Sequence, residues 1–161
     1  MKNGVRGIAL LAFALALGAA PALAQDGGKL TSKIELEKLT PATGGQPPAK
    51  TYVAPDVVVP GDRVRVTLDF SNGGTAPAVG VDIVNPVPEA LVFDGTDDTR
   101  DFSVSVDGGK IFGPLTGLTV PVAGAAPRVA TATDVTHVRW KWTDAVAPGQ
   151  TRTVAFFGRV K

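Results

Sequence analysis

The sequence predicts an all-β protein, an antiparallel β-sandwich of about seven strands that follows an N-terminal signal peptide. Three observations carry this prediction. Short runs rich in Val, Thr and aromatic residues alternate between apolar and polar positions, as strands with one buried face do. Glycine and proline are frequent, with 19 and 13 residues, and they separate these runs with turns. The extreme N-terminus differs from the rest of the chain, because it is apolar and lacks acidic residues.

The N-terminus has the three-part layout of a secretory signal peptide. Lys2 and Arg6 provide a positive start, and residues 7–18 form an uncharged apolar run. Ala22-Leu23-Ala24 then supplies small residues on the two sides of Leu23, as a cleavage site before Gln25 requires. The apolar run is too short to span a bilayer stably. We therefore expect export, either to the periplasm or out of the cell.

The remaining chain fits one domain. We assign residues 1–24 to the signal peptide, residues 25–31 to an N-terminal tail and residues 32–161 to a single sandwich domain. Cysteine is absent, so an exported domain of this sequence must be held together by packing without disulfides. The formal net charge of +1 gives no basic footprint for nucleic acid. No further apolar run is long enough for a membrane span once the signal peptide is removed.

The clearest strand covers residues 63–70. Its apolar side chains occupy alternate positions, with turn signals at Pro60-Gly61-Asp62 and Asn72-Gly73-Gly74 on either side. Residues 32–39 also alternate and favour a strand, although Glu, Leu and Lys are helix formers and a helix is the alternative. The residues expected inward on the clearest strand are Val64, Val66, Leu68 and Phe70.

The other strands follow from the same alternation. Asp107-Gly108-Gly109 is a hairpin signal that leads into residues 110–112, and residues 113–127 are irregular except for a short strand at residues 118–120. Residues 91–93 are a short strand or a packed loop. The remaining strands, with their inward residues, are 79–83 (Val79, Val81, Ile83), 102–106 (Phe102, Val104, Val106), 136–142 (Val138, Trp140, Trp142) and 152–160 (Val154, Phe156, Val160).

Several segments share a pattern of turn residues between strands. They are VPGDRV at residues 59–64, FSNGGTA at 70–76, VDIVNPVP at 81–88, SVDGGK at 105–110 and DVTHVRW at 134–140. Together they resemble the DUF11-type conserved repeat domain, and the last two are similar to an uncharacterised bacterial subgroup of it. The resemblance covers residues 51–161. It implies an immunoglobulin-like sandwich in an exported or surface protein, and it implies no catalytic residues. Members often occur as tandem copies, but this sequence contains no internal repeat.

The sequence gives little support for an enzyme. It has no cysteine nucleophile and no G-x-S-x-G motif. His137 is the single histidine, and it lies on the polar side of a predicted strand, where we expect a solvated imidazole. We assign no catalytic residue and no cofactor.

A cluster of aspartates is the best of the weak site signals. Asp94, Asp97, Asp98 and Asp101 lie within residues 94–101, and calcium binds several oxygen ligands from such flexible loops. The spacing does not match the D-x-[DN]-x-[DN]-G pattern, and Arg100 lies within the run. We therefore expect a solvated acidic loop, with a calcium site as the alternative. A metal-assisted enzyme built on this loop is the least favoured hypothesis.

Two functional hypotheses remain. The first is a non-enzymatic structural or interaction domain that binds another exported or cell-envelope protein through an open sheet edge or through loops at one end of the sandwich. The second is a carbohydrate- or ligand-binding module that uses exposed Trp140 or Trp142. An inward tryptophan of a sandwich belongs to the core, so the exposure of these two side chains separates the hypotheses.

We predict cleavage between Ala24 and Gln25 during export, because small residues follow the apolar run there. Mass spectrometry of the exported protein should find Gln25 at its N-terminus. Recovery of the intact chain from the cytoplasm alone would contradict export.

Overall fold

The computed structural model of the chain describes residues 27–42 and 48–161, and strands dominate it. The predicted signal peptide and its cleavage site lie outside the described residues. Ten strands are present in the described part, more than the seven or so expected, together with short 3-10 turns at Leu115–Gly117 and Ala132–Asp134. The strands are β1 Gly28–Thr40, β2 Ala49–Val53, β3 Arg63–Asn72, β4 Asp82–Pro86, β5 Leu91–Thr96, β6 Phe102–Ser105, β7 Thr119–Val122, β8 Ala125–Val129, β9 His137–Lys141 and β10 Thr151–Val160.

The strands pair antiparallel into two main sheets. The larger sheet has the order β2-β1-β3-β10-β5, the smaller sheet has the order β4-β9-β6, and β7 and β8 form a separate hairpin. Successive side chains of a strand point to opposite faces, so each sheet directs one apolar face inward. This arrangement confirms the prediction of an all-β antiparallel sandwich. Among the described residues, no helix is long and apolar enough to cross a membrane.

The core lies where β3 and β10 of the larger sheet face β9 of the smaller sheet. Leu68 of β3 is 1% exposed and Phe156 of β10 is 0% exposed. Opposite them, Val138, Trp140 and Trp142 are all essentially buried. The indole Nε1 of Trp140 donates to a backbone carbonyl of the loop after β5 at 3.0 Å, so its polar group is satisfied. The inward faces predicted for these three strands are therefore confirmed.

The first strand is longer than expected, and it is not a helix. β1 pairs with β3 from Gly28 opposite Asn72 to Leu36 opposite Val64. Residues 28–31, which were assigned to an N-terminal tail, thus belong to the strand because they continue this pairing. The pairing of the backbone with β3 outweighs the helix propensity of the Glu, Leu and Lys residues in this segment.

Two of the predicted strands differ from the structure, and both differences lie next to glycines. Val79 is 61% exposed rather than inward, because Gly80 at φ +64 turns the chain before β4 begins. Val81 and Ile83 do point inward. Residues 110–112 do not form a strand; there the carboxylate of Asp107 accepts the backbone N–H groups of Lys110 and Ile111.

The short strand predicted at residues 118–120 corresponds to β7, but sequence reasoning missed its partner β8 and the burial of Phe157. The hairpin lies within the stretch read as largely irregular, since Pro121 and Pro127 disguise its alternation. Phe157 is 1% exposed although it faces away from the core. Its ring is covered on the outer face of the larger sheet by the guanidinium of Arg63, 3.8 Å from the ring centroid.

We predict that Leu68→Ala lowers the free energy of unfolding by about 2–5 kcal/mol, because it leaves a cavity in a fully packed core. The adjacent Thr67 faces the other way, and its buried hydroxyl has no hydrogen-bond partner among the described residues. Thr67→Val should therefore leave the stability unchanged or raise it. Urea denaturation of both variants measures this contrast. An equal decrease in the free energy of unfolding in the two variants would show that the inward and outward faces of β3 are wrongly assigned.

Candidate interaction surface

Most of the acidic segment, residues 94–101, is bound into the fold. Asp94 lies within β5, and only the residues after Thr96 form the loop that was expected to begin at Asp94. The backbone carbonyl of Asp98 accepts the indole N–H of Trp140, and the carboxylate of Asp98 accepts the backbone N–H of Arg100 at 3.2 Å. Asp101 adopts φ +59, where the chain turns into β6. These contacts tie the loop to the core.

The four aspartates are not brought together as a metal site. No group of three or more Asp, Glu, His or Cys side chains that could hold an ion occurs in the described part of the chain, which includes Asp94, Asp97, Asp98 and Asp101. Asp94 instead accepts the Nε–H of Arg63 at 2.7 Å and lies 3.3 Å from the Nε of Arg159. It is therefore an ion-pair partner on the sheet, which corrects its assignment to a solvated loop.

The other candidate side chains are also integrated into the fold. Trp140 and Trp142 are 0% and 1% exposed, so neither indole face is available to a sugar. The carbohydrate-binding alternative thus loses the residues on which it depends. His137 is half-buried beside the backbone of Gly109, rather than fully solvated. Burial lowers its pKa, and the charge of Asp107 opposes this shift only in part.

Ion pairs cover the outer face of the larger sheet. Arg63 of β3 donates to Glu37 of β1 through Nη1 at 2.7 Å, and its Nε–H binds Asp94 of β5. Arg65 binds Glu35 at 2.7 Å, and its guanidinium lies 3.6 Å from the ring centroid of Tyr52 on β2. The network crosses from one edge of the sheet to the other. It holds β1 and β2 against the rest of the sheet.

This network lowers the pKa values of two glutamates, Glu35 and Glu37. A hydrogen bond from Arg65 is the largest influence on Glu35 and lowers its pKa, and Lys33 adds to the effect. Burial raises the pKa of Glu37, but the hydrogen bond and charge of Arg63 outweigh it, so the net direction is also downward. Both carboxylates therefore stabilise the folded chain more when they are ionised.

The most prominent opening in the backbone pairing lies along β1. Leu36 pairs with Val64 of β3 and also with Val53 of β2, so these two strands lie on opposite sides of β1. β2 pairs with β1 only from Leu36 to Thr40. On that same side, residues 28–35 have no neighbouring strand in the described part of the chain. We call residues 28–35 the β1 edge.

The β1 edge also leaves apolar side chains incompletely covered. Leu30 and Ile34 point inward and pack against the core, yet both keep exposed area. Ser32, between them on the same face, is exposed. In contrast, Leu68 on the neighbouring strand is 1% exposed. An added strand beside β1 would bury these side chains and satisfy the unpaired backbone groups.

The remaining outer strands are less suited to accept a partner. Pro86 at the end of β4 lacks an N–H group. β6 is bridged on its outer side, where Val104 and Gly113 exchange backbone hydrogen bonds of 2.9 and 3.0 Å. The pairing of β5 with β10 is irregular between Phe156 and Gly158. β2 is short and lies between Pro48 and Pro55.

Comparisons with protein-family models, with curated protein sequences and with solved structures found no match for this chain. The resemblance to the DUF11-type domain therefore stays a prediction from the sequence motifs.

We predict that the protein loses stability as the pH falls below the ordinary glutamate value of 4.5. A carboxyl group whose pKa is lower in the folded state stabilises the fold above its unfolded-state pKa, and this contribution is lost as the pH falls through the folded-state pKa. Glu37→Gln should lower the melting temperature at pH 7 and flatten its decline in acid.

The matched control is Glu89→Gln, because Glu89 is exposed and its side chain makes no ion pair with any described residue. Thermal denaturation between about pH 3 and pH 7 compares the two variants. The same acid dependence in wild type and in Glu37→Gln would show that the network does not respond to pH in this way.

Proposed function

We propose that this chain is an exported, non-enzymatic interaction domain that binds a protein partner by strand addition at the β1 edge. The observation that carries the proposal is the side of residues 28–35 that no described strand pairs, next to the partly exposed Leu30 and Ile34. Strand addition gives affinity through backbone hydrogen bonds and selectivity through alternate side chains. Both features are available at this edge.

Three further observations support the proposal. The carboxylates that could suggest metal binding accept hydrogen bonds within the fold, as those of Asp94, Asp98 and Asp107 illustrate. Ion pairs across the outer face of the sheet link β1 to β3 and β3 to β5, so the β1 edge belongs to a strand that is joined to the rest of the sheet. The N-terminal sequence supports export, which would place the edge in contact with other exported or cell-envelope proteins.

A photo-reactive amino acid placed at Ser32 in the full chain tests this proposal in the producing cell. Ser32 is exposed at the centre of the β1 edge. We expect covalent adducts with an exported protein after illumination, with Gln25 as the N-terminus of the chain in those adducts. The control carries the same amino acid at Thr119, an exposed position on β7. If Ser32 gives no more adducts than Thr119, the β1 edge is not a binding surface.

A further inference from the structure

We propose that Asn72 is a latent deamidation site, which the start of β1 protects in the folded chain. The inference is independent of the proposed function, because it concerns the chemistry of the turn that follows β3. Gly73 comes directly after Asn72. An Asn-Gly pair is the dipeptide in which spontaneous deamidation is least hindered, since glycine has no side chain to obstruct the attack and turns freely into the geometry that the attack requires.

Deamidation joins the backbone nitrogen of Gly73 to the side chain of Asn72. The nitrogen gives up its proton to a base in solution and attacks Cγ. The bond between Cγ and Nδ2 then breaks, and the amide group takes up a proton and leaves as ammonia. Water opens the resulting five-membered succinimide at either of its two carbonyl groups. The net reaction consumes one water, releases one ammonia and leaves aspartate or isoaspartate.

The carboxamide of Asn72 is held by three hydrogen bonds. Nδ2 donates to the backbone carbonyls of Ala76 and Val146, at 2.9 and 2.8 Å, and Oδ1 accepts the N–H of Gly74 at 3.0 Å. The whole residue is only 3% exposed. Attack at Cγ expels Nδ2 and so breaks both of the bonds that Nδ2 donates. Buried polar groups that lose their partners cost free energy, and this cost raises the barrier in the folded chain.

The attacking nitrogen is also held, and the start of β1 holds it. The N–H of Gly73 donates to the backbone carbonyl of Gly27 at 2.8 Å. The next residue, Gly28, pairs with Asn72 as the first residue of β1. The proton that has to leave is therefore bound to a carbonyl group instead of being offered to a base in solution. Departure of Gly27 removes this contact.

Gly27 lies so close to the turn after β3 that no side chain fits there. A Cβ atom on Gly27 would lie 2.4 Å from the backbone nitrogen of Gly74. Gly27 also has φ +96, a conformation that favours glycine. The start of β1 thus packs tightly over the Asn-Gly pair, and a single methyl group at Gly27 is enough to displace it.

Deamidation of Asn72 prevents the native contacts from forming again. An aspartate at this position has no N–H group to donate, so its carboxylate would face the carbonyl oxygens of Ala76 and Val146. The isoaspartate product also adds a methylene group to the backbone at the end of β3. A chain that opens at the start of β1 for long enough is therefore altered irreversibly.

Peptide mass spectrometry after incubation in mildly alkaline buffer measures the reaction in the chain recovered from the producing cell. We expect Asn72 to deamidate at least about tenfold faster in urea than in the folded chain, because unfolding releases all of these contacts. Aspartate and isoaspartate should both form, as the opening of a succinimide requires. Asn85 is the internal control, since Pro86 follows it and has no N–H to give up.

Gly27→Ala tests the protection by β1. We expect this variant to deamidate at Asn72 about tenfold faster than wild type in the folded state. The matched control is Gly61→Ala, because Gly61 has nearly the same backbone conformation, with φ +93, and no atom lies within 4 Å of a Cβ placed there. It adds the same methyl group and a similar backbone strain away from Asn72, and should react at the wild-type rate. Melting curves show whether both variants are folded during the incubation.

Each outcome supports or overturns one part of the proposal. Faster deamidation in Gly27→Ala than in Gly61→Ala supports control by β1, and the same rate in the two variants would overturn it. The same rate for the folded and the urea-unfolded wild type would overturn the protection itself. Hydrogen exchange at the Gly73 amide needs no substitution. We expect slow exchange in the folded wild type, and exchange at the rate of an unfolded chain would contradict the contact with Gly27.

Asn72→Asp reproduces one product and tests its effect on the fold. We expect the melting temperature to fall by about 5–10 °C, because two carbonyls lose their donor and face a carboxylate. Asn85→Asp makes the same chemical change at a half-buried site, where Nδ2 donates only to the adjacent carbonyl of Pro86 at 2.7 Å, and should lower the melting temperature less. An equal fall in the two variants would overturn the inference that deamidation of Asn72 blocks the native contacts.

Discussion

Burial of the inward face of β3 against β9 is the constraint on which the rest of the structure depends. The chain contains no cysteine, so no disulfide restrains its unfolded state. Stability must come from apolar area, and the largest buried side chains include Trp140, Trp142 and Phe156. β3 is paired on both sides, by β1 and by β10, which fixes its register and places Val66 and Leu68 in the same core cluster as the tryptophans. A shift of one residue would turn every one of these side chains outward.

The outer face of the same sheet is stabilised by a different kind of contact. Phe157 faces outward next to Arg65 in the pairing of β10 with β3, and it is nevertheless buried. Arg63 lies over its ring while it binds Glu37 and Asp94, and Tyr52 approaches it from β2 with ring centroids 6.4 Å apart. The charged side chains thus cover apolar area as well as pair with each other. This explains why an outward aromatic residue is tolerated on this face of the sheet.

The sequence predicts those parts of the fold that have a strong local period. β3, β9 and β10 alternate over most of their length, and their inward residues are found where the alternation places them. The ion pairs of Asp94 were beyond prediction, because Arg63 and Arg159 are distant in sequence and meet only through sheet pairing. β8, the second strand of the exposed hairpin, was missed because its side chains are exposed and show no apolar period.

The β1 edge could not be derived from the sequence either, because it depends on where the pairing of β1 with β2 and with β3 ends. β1 continues past the point at which β2 ends, so its pairing changes sides at Leu36 and leaves the β1 edge without a neighbouring strand among the described residues. Proteins protect bare edges with lysines, because an arbitrary apolar strand then gains little by pairing there. Lys29 and Lys33 provide that protection. Under the proposed function the same lysines would also make the edge selective, because like charges in opposed positions are destabilising. The charges that discourage aggregation would therefore favour a partner strand that carries carboxylates opposite Lys29 and Lys33.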